Sequence, residues 1–276
     1  MNVKEKNHSV HGRCLFLDNG ILEIGVALDF GIRICHFSFL GEENVFYEQP
    51  MNSDRFTTTD GWRLRGGHRL WIAPESDDIY APDNVPVEYS LLPNGIEITQ
   101  SKDERLHIVK QIRICFDNDR VQVNHKITYL GEGLLECALW PISVMAPGGI
   151  ERIPLKKREG GFDPLHSFSL WDHSSLGDCR AKYKKDEIIL THMDIDRPYK
   201  IGIGHPNGEI SYTNRGTAFL KSYDFIENAH YPDGEVSYET YLSKFMVEIE
   251  SLSPLYTLRK GENAEHNEYW RLVREE

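Results

Sequence analysis

Short stretches of alternating apolar and polar residues, separated by turn-forming residues, run through almost the whole sequence. Residues 106–116 (LHIVKQIRICF) and 120–130 (RVQVNHKITYL) show the pattern most clearly. Alternation with a period of two places one set of side chains in a core and the other outside, as in a β-strand. Further strands are predicted at 96–99, 210–213 and 236–242, each close behind a Pro-Asn-Gly or Pro-Asp-Gly turn.

The predicted strands follow one another without the helices that a parallel α/β sheet needs. No amphipathic helix longer than about three turns is apparent between them. An all-β fold is therefore expected, and a large antiparallel β-sandwich is the architecture that accommodates so many strands.

The chain is expected to fold as one domain over residues 1–276, because no linker, repeat or low-complexity tract divides it. A chain of this length buries roughly 70–75% of its unfolded surface, so its core needs no disulfide. The five cysteines form no CxxC pair and are expected to be free thiols in a reducing cytoplasm. The least regular stretch, residues 148–178, still carries aromatic residues and is expected to border a site.

Charge and missing motifs exclude several classes of function. The net charge of −12 disfavours nucleic acid as a partner, and no segment is apolar enough to suggest a secretion signal or a membrane span. A phosphate-binding loop, a zinc-ligand spacing and a Gly-x-Ser-x-Gly elbow are all missing. Since the twelve histidines are dispersed, neither a cofactor nor a metal is expected.

The densest group of chemically capable residues lies at 61–75 (GWRLRGGHRLWIAPE). Trp71 offers a flat apolar face of the kind that stacks on a sugar ring, and Arg65 and Arg69 offer paired donors for hydroxyls or carboxylates. His68 and Glu75 add groups that exchange protons or accept hydrogen bonds. The alternative is a bulged strand whose tryptophans belong to the core and whose arginines face water.

A second group lies at 223–250 and contains His230 and Asp233 as further candidates for ligand binding. Near its end, Glu248 and Glu250 are two positions apart, so on a strand both carboxylates point to the same face. Two neighbouring carboxylates raise the pKa of one of them, which suits general acid–base catalysis. The alternative is an edge strand that shows its charges to water.

Several segments, in this order, resemble the galactose mutarotase-like superfamily of aldose 1-epimerases and their relatives. Residues 26–45 resemble the family's early strand pair, and residues 249–272 resemble its last three strands, with Lys260 where a turn usually has proline. A subgroup of uncharacterised, mainly bacterial members is the closer match. Its signature segments are similar to residues 66–75, 140–149 and 231–234.

The resemblance implies a β-sandwich with a concave carbohydrate-binding face and an isomerase that opens and recloses a sugar hemiacetal. It assigns Glu250 as the base, with Glu248 as the alternative register. If the chain is an enzyme of this kind, His68, just after the Gly-Gly pair, is expected to be the acid. Arg65 and Arg69 would stabilise an oxyanion or bind hydroxyls. Characterised members have a histidine just before the Gly-Gly pair, where this chain has Arg65, and a second histidine in a segment that here has none.

Two other functions remain open from the sequence. The first is a sugar-binding module that has lost the catalytic acid. The second is a lyase or hydrolase of acidic sugar polymers, for which residues 63–69 supply arginines. In each case the expected partner is a carbohydrate, and the expected assembly is a monomer or a homodimer.

Overall fold

The computed structural model describes residues 1–50, 53, 55–157, 160, 162 and 164–275. Its strands, in chain order, are β1 (Asn2–His8), β2 (Gly12–Asp18), β3 (Leu22–Ala27), β4 (Arg33–Phe39), β5 (Gly67–Ala73), β6 (Glu88–Leu92), β7 (Gly95–Thr99), β8 (Ile108–Asp117), β9 (Arg120–Tyr129), β10 (Leu134–Met145), β11 (Ile150–Pro154), β12 (Phe168–Leu170), β13 (Ala181–Tyr183), β14 (Glu187–Thr191), β15 (Tyr199–Ile203), β16 (Ile210–Asn214), β17 (Thr217–Tyr223), β18 (Tyr238–Leu242), β19 (Val247–Ser251), β20 (Tyr256–Arg259) and β21 (Asn263–Arg274). A 3₁₀ turn, η1, spans Asp77–Tyr80, and a single helical turn, α1, spans Pro232–Glu235.

These strands form two antiparallel sheets. The first sheet has the order β1-β2-β3-β4-β5-β10-β19-β18-β15-β12, and β20 pairs with one end of β10. The second sheet has the order β13-β14-β11-β16-β17-β21-β9-β8-β7-β6. About 53% of the chain is strand and 3% is helix, so the predicted antiparallel β-sandwich is confirmed.

The predicted strands appear where the alternation and the turns place them. Residues 106–116 and 120–130 contain β8 and β9, which pair from Ile108 with Tyr129 to Asp117 with Arg120. Alternate residues of both strands are buried, because one face of the pair packs into the core. Within the described ranges, no helix is long and apolar enough to cross a membrane.

The core lies between the two sheets. At its centre Phe37 of the first sheet meets Phe219 and Trp270 of the second sheet, with ring centroids 6.0 and 5.7 Å away. Phe46 joins the cluster at 5.8 Å from the Trp270 ring. Edge and tilted contacts between aromatic rings of this kind add to the free energy gained by burying them.

Strand β10 sets the geometry of the site, because it lies between β5 and β19. Ile142 pairs with Arg69 on one side and with Glu250 on the other. Cross-strand partners share a face, whereas their chain neighbours point to the opposite face. The residue before Arg69 and the residue before Glu250 therefore face the second sheet.

Candidate functional site

A cavity of about 290 Å³ lies on the face of the first sheet that is turned away from the second sheet. Its floor comes from strands β5, β10, β15, β18 and β19, and its walls come from the loops around β5 and from the segment after β12. It is lined by Phe56, Trp62, Leu64, Arg69, Trp71, Glu75, Tyr80, Trp140, Ile142, Trp171, His173, Lys200, Tyr241, Met246 and Glu248.

A larger cavity, of about 490 Å³, lies between the turn after β4 and strands β16 and β17. Its charged residues Glu43 and Arg215 are exposed and pair with each other at 3.0 Å. It lacks the aromatic wall and the buried carboxylate, Glu248, of the smaller cavity. The smaller cavity is therefore the candidate site.

Aromatic side chains form much of the cavity wall. Trp71 and Trp140 are cross-strand partners on β5 and β10, and their ring centroids are 5.7 Å apart. Trp62 lies 5.2 Å and Tyr80 lies 4.9 Å from the Trp71 ring. Flat aromatic faces beside a few polar groups are typical of carbohydrate sites, since the C–H face of a sugar ring packs against them.

An ion pair crosses the cavity floor between β5 and β19. A nitrogen of Arg69 donates to Glu248 Oε1 at 2.9 Å, and both residues are more than nine-tenths buried. The Arg69 guanidinium also lies 4.1 Å from the Trp71 ring centroid. This stack and the ion pair hold Glu248 with one edge of its carboxylate at the cavity surface.

A second charged cluster lies beside the first. Lys200 of β15 sits between Trp140 and Trp171, with its Nζ 4.5 Å from each ring centroid. The same Nζ lies 2.6 Å from Glu239 and 3.4 Å from Glu250. Burial lowers the pKa of Lys200, but the two carboxylates outweigh burial and raise the pKa above its ordinary value, so the amine stays charged.

Glu250 lies beneath the floor of the cavity and does not line it. It is fully buried, and its Oε2 accepts a 2.7 Å hydrogen bond from Trp140 Nε1. Among the described residues, its Oε1 has no hydrogen-bond partner. Burial raises the pKa of Glu250, and Lys200 opposes that rise.

Glu75 also reaches the cavity, from the loop that follows β5. Its Oε1 accepts a hydrogen bond of 2.5 Å from the hydroxyl of Tyr80, at the end of η1. Burial, together with this bond to a carboxylate, raises the pKa of Tyr80. The cavity therefore holds two carboxylates, Glu75 from the loop after β5 and Glu248 from the floor strand β19.

His68, expected to be the acid that works with Glu250, lies on the opposite face of the first sheet from Glu250. His68 precedes Arg69 on β5, so strand alternation turns it toward the second sheet. It is fully buried, 2.9 Å from Ser143 Oγ and 2.7 Å from His125 Nε2. Burial lowers its pKa well below the ordinary value. His68 therefore cannot transfer a proton in the cavity.

Three predicted binding residues also lie outside the cavity. Arg65 precedes β5, and its guanidinium stacks on the Phe30 ring, 3.8 Å from the ring centroid. The side chain of His230 is 86% exposed and pairs with Glu235. Asp233 lies in α1 with a φ of 53°, in a turn away from the lining residues. The cavity thus gathers Arg69, Trp71, Glu75 and Glu248 from the predicted set, with Glu250 directly below.

Sequence reasoning missed Lys200 and Tyr241, and it included Trp171 and His173 only within a longer stretch. Trp171 and His173 belong to the stretch 148–178 that was expected to border a site, and they do line the cavity. Tyr241 and Glu248 are cross-strand partners, and the Tyr241 ring lies 6.5 Å from that of His173. Lys200 is the single charged residue of an otherwise apolar strand, and this position was the sequence signal that could have identified it.

These features define a class of protein: an antiparallel β-sandwich that has, on one sheet, a cavity with tryptophan walls and carboxylates. No protein-family model matches the chain. No curated protein matches it either.

Solved structures do match. The chain is similar to a galactose mutarotase-like protein from Lactobacillus casei, with 10% identity and a TM-score of 0.62 over 94% of this chain and 100% of that one. It is similar to YeaD of Salmonella typhimurium, provisionally described as a mutarotase, with 13% identity and a TM-score of 0.60 over 99% and 97%. A protein of Escherichia coli K12, provisionally described as an aldose 1-epimerase, gives 11% identity and a TM-score of 0.58 over 94% and 98%. The chain therefore has the galactose mutarotase-like fold, which confirms the resemblance seen in its sequence.

Proposed function

We propose that the protein binds a sugar ring in the tryptophan-walled cavity and interconverts its anomers, as an aldose 1-epimerase-like isomerase. One observation carries the proposal: Glu248, His173 and Trp71 all line the same cavity. A sugar ring packed against the aromatic wall would bring its polar edge to the carboxylates. The galactose mutarotase-like neighbours are consistent with this function and supply the fold.

Glu248 is the base in this proposal. It takes the proton from the anomeric hydroxyl while a second group protonates the ring oxygen, and the bond between C1 and the ring oxygen breaks. Rotation about the C1–C2 bond and the reverse proton transfers then close the ring with the other configuration. Glu248 is preferred to Glu250 because a base must reach its proton, and Glu250 lies under Trp140 and Lys200.

His173 replaces His68 as the proton donor. It lies on the segment after β12, borders the cavity and is exposed to solvent. Arg69, expected from the sequence to bind hydroxyls or stabilise an oxyanion, instead orients Glu248 through the 2.9 Å ion pair. Lys200 in the floor and Glu250 below it set the charge of the floor.

The test is α/β anomer exchange, followed by NMR on freshly dissolved aldoses. We expect Glu248→Gln to lower the protein-catalysed rate about 10²-fold or more, the range for loss of one general base. Glu250→Gln should lower it less, and His230→Gln, outside the cavity, should not change it. A rate lost in Glu250→Gln and kept in Glu248→Gln would assign the base to Glu250 instead.

A sugar-binding module without turnover is the second candidate. The observation that favours it is the engagement of the carboxylates, since Arg69 pairs with Glu248 and Lys200 pairs with Glu250. Wild-type protein that binds a sugar and leaves its anomer exchange at the solvent rate would establish this module. The polymer lyase loses its main support, because Arg65 is outside the cavity and Arg69 is already paired.

A further inference from the structure

A second group of chemically capable residues lies far along the first sheet from the cavity, where the β1–β2 hairpin meets the segment between β4 and β5. His8 ends β1 and pairs with Gly12 across the hairpin, and His11 lies in the turn between them. Glu48 approaches from the segment after β4, where it forms an isolated bridge with Gly66. The β1–β2 hairpin and a segment some forty residues further along the chain thus meet at one point.

The three side chains point their donor atoms at one another. Glu48 Oε1 lies 3.5 Å from His8 Nε2 and 3.8 Å from His11 Nε2. One donor atom from each residue falls within 4.8 Å of the others. Zinc bonds of about 2.0–2.2 Å in a tetrahedron place ligand atoms about 3.3–3.6 Å apart, so the two distances to Glu48 need little or no contraction.

His11 is the observation that requires an explanation. It is 1% exposed, and neither of its ring nitrogens has a hydrogen-bond partner among the described residues. A buried imidazole without a partner is costly, whereas a metal ion satisfies one of its nitrogens directly.

We propose that His8, His11 and Glu48 bind a divalent transition-metal ion of the zinc type, with water in the remaining position. Two imidazoles and one carboxylate suit Zn²⁺ and its borderline neighbours, and they do not suit Mg²⁺ or Ca²⁺, which prefer all-oxygen sites. The Glu48 side chain is 29% exposed, which leaves solvent access to the ion. This site revises the expectation from sequence that no metal is bound, and it is independent of the proposed sugar chemistry.

The neighbours of the cluster fit this role. Asn44 Nδ2 donates to Glu48 Oε1 at 3.0 Å and fixes the carboxylate, as outer-shell partners of metal ligands do. Arg33 also faces His11, but its charge is offset by Asp83 at 3.2 Å.

Metal binding would break one hydrogen bond of His8. His8 Nδ1 accepts a 3.2 Å hydrogen bond from the Val10 amide, so in the metal-free protein the ring proton is on Nε2. Coordination through Nε2 moves that proton to Nδ1 and breaks the bond to Val10. The Val10 amide therefore reports on binding.

A similar group of residues between the sheets does not support a metal site. His68, His125 and Glu268 also converge, but all three are fully buried. The ring nitrogens of His68 already have partners, and Glu268 lies 2.7 Å from the ammonium of Lys221. A cation added there would meet a buried positive charge.

The test is a titration of chelator-treated full-length protein with Zn²⁺ alone, followed by calorimetry, and with Co²⁺, followed by its visible spectrum. We expect one Zn²⁺ per chain, a Co²⁺ spectrum of tetrahedral type, and an NMR shift of the Val10 amide. Glu48→Gln and His11→Asn should each weaken Zn²⁺ binding at least about 10-fold, since loss of a ligand costs no less than loss of an outer-shell partner. The matched control is His36→Gln, because His36 is a partly buried histidine of the same sheet that pairs with Ser38.

If His11→Asn fails to fold, Glu48→Gln still tests the proposal, because the Glu48 side chain is partly exposed and its replacement leaves the core intact. Absence of stoichiometric Zn²⁺ uptake by the wild type would overturn the proposal. Equal affinity in wild type and Glu48→Gln would overturn it too, as would a loss of affinity in His36→Gln matching that in Glu48→Gln.

Discussion

Lys200 shows how one side chain determines the electrostatics beneath the cavity. Its ammonium is the cation closest to Glu239 and Glu250, at 2.6 and 3.4 Å, and all three residues are more than nine-tenths buried. Burial raises the pKa of Glu239 well above its ordinary value even with Lys200 beside it. The cluster is therefore held together by one positive charge.

Replacing Lys200 with Met should lower the free energy of unfolding at pH 7 by about 3–5 kcal/mol, the range for breaking a buried ion pair from one side. The two carboxylates would then be uncompensated, so the loss should shrink as the pH falls toward 5 and they take up protons. Urea unfolding at both pH values measures this. Lys126→Met, at a half-exposed pair with Glu265 of 3.9 Å, is the control and should change stability by about 0.5 kcal/mol or less. A loss below about 1 kcal/mol in Lys200→Met would contradict the account.

At the scale of elements, a buried carboxyl joins the two sheets. Glu151 of β11 is fully buried and accepts hydrogen bonds from the hydroxyls of Tyr238 and Thr240 on β18. Burial raises the pKa of Glu151 to about 7, although the two hydrogen bonds oppose that rise. The folded protein thus holds a proton on Glu151 that the unfolded chain releases near pH 4.5.

The sign of the resulting pH dependence follows from that pKa. Because the folded pKa is raised, Glu151 favours the folded state at low pH, and this contribution is lost as the pH rises from about 4.5 to about 7. Glu151→Gln removes the titration, so it should be more stable than wild type at pH 8 by up to about 3 kcal/mol, and equal to it near pH 4.5. Urea unfolding across this range checks the difference. A stability difference between Glu151→Gln and wild type that stays constant with pH would contradict the assignment of this titration to Glu151. Glu262→Gln, at an exposed turn, is the control.

Strand alternation explains both what could be predicted from the sequence and what could not. It located β8 and β9 and placed Glu248 and Glu250 on one face, because period and turns are local properties. It did not decide which face of β5 meets the second sheet, since His68 and Arg69 are both polar and both buried. The depth of Glu250 beneath Trp140 depends on contacts between β10, β15 and β19, which no local pattern records. For the same reason the pairing of Lys200 with Glu239 and Glu250 was missed.

At the scale of the whole molecule, one hydrophobic cluster draws on both sheets. This favours the expectation that residues 1–276 unfold as one domain, and Trp270 at the centre of the cluster tests it. Trp270→Ala should lower stability by about 3–5 kcal/mol. The unfolding midpoints followed by circular dichroism and by fluorescence should coincide before and after the change. Two separated transitions, with only one of them moved by the substitution, would indicate independent domains.

The central claim is that a sugar binds in the tryptophan-walled cavity and has its anomers exchanged there. One NMR sample tests it, because four of the five tryptophans line the cavity and Trp270 lies between the sheets. On titration with the aldose whose anomers exchange fastest, the indole N–H signals of Trp62, Trp71, Trp140 and Trp171 should shift, while that of Trp270 stays in place. Exchange cross-peaks between the α and β anomers of the same sugar should rise above those of the sugar alone. Shifts confined to Trp270, or indole signals that no aldose moves, would contradict the claim.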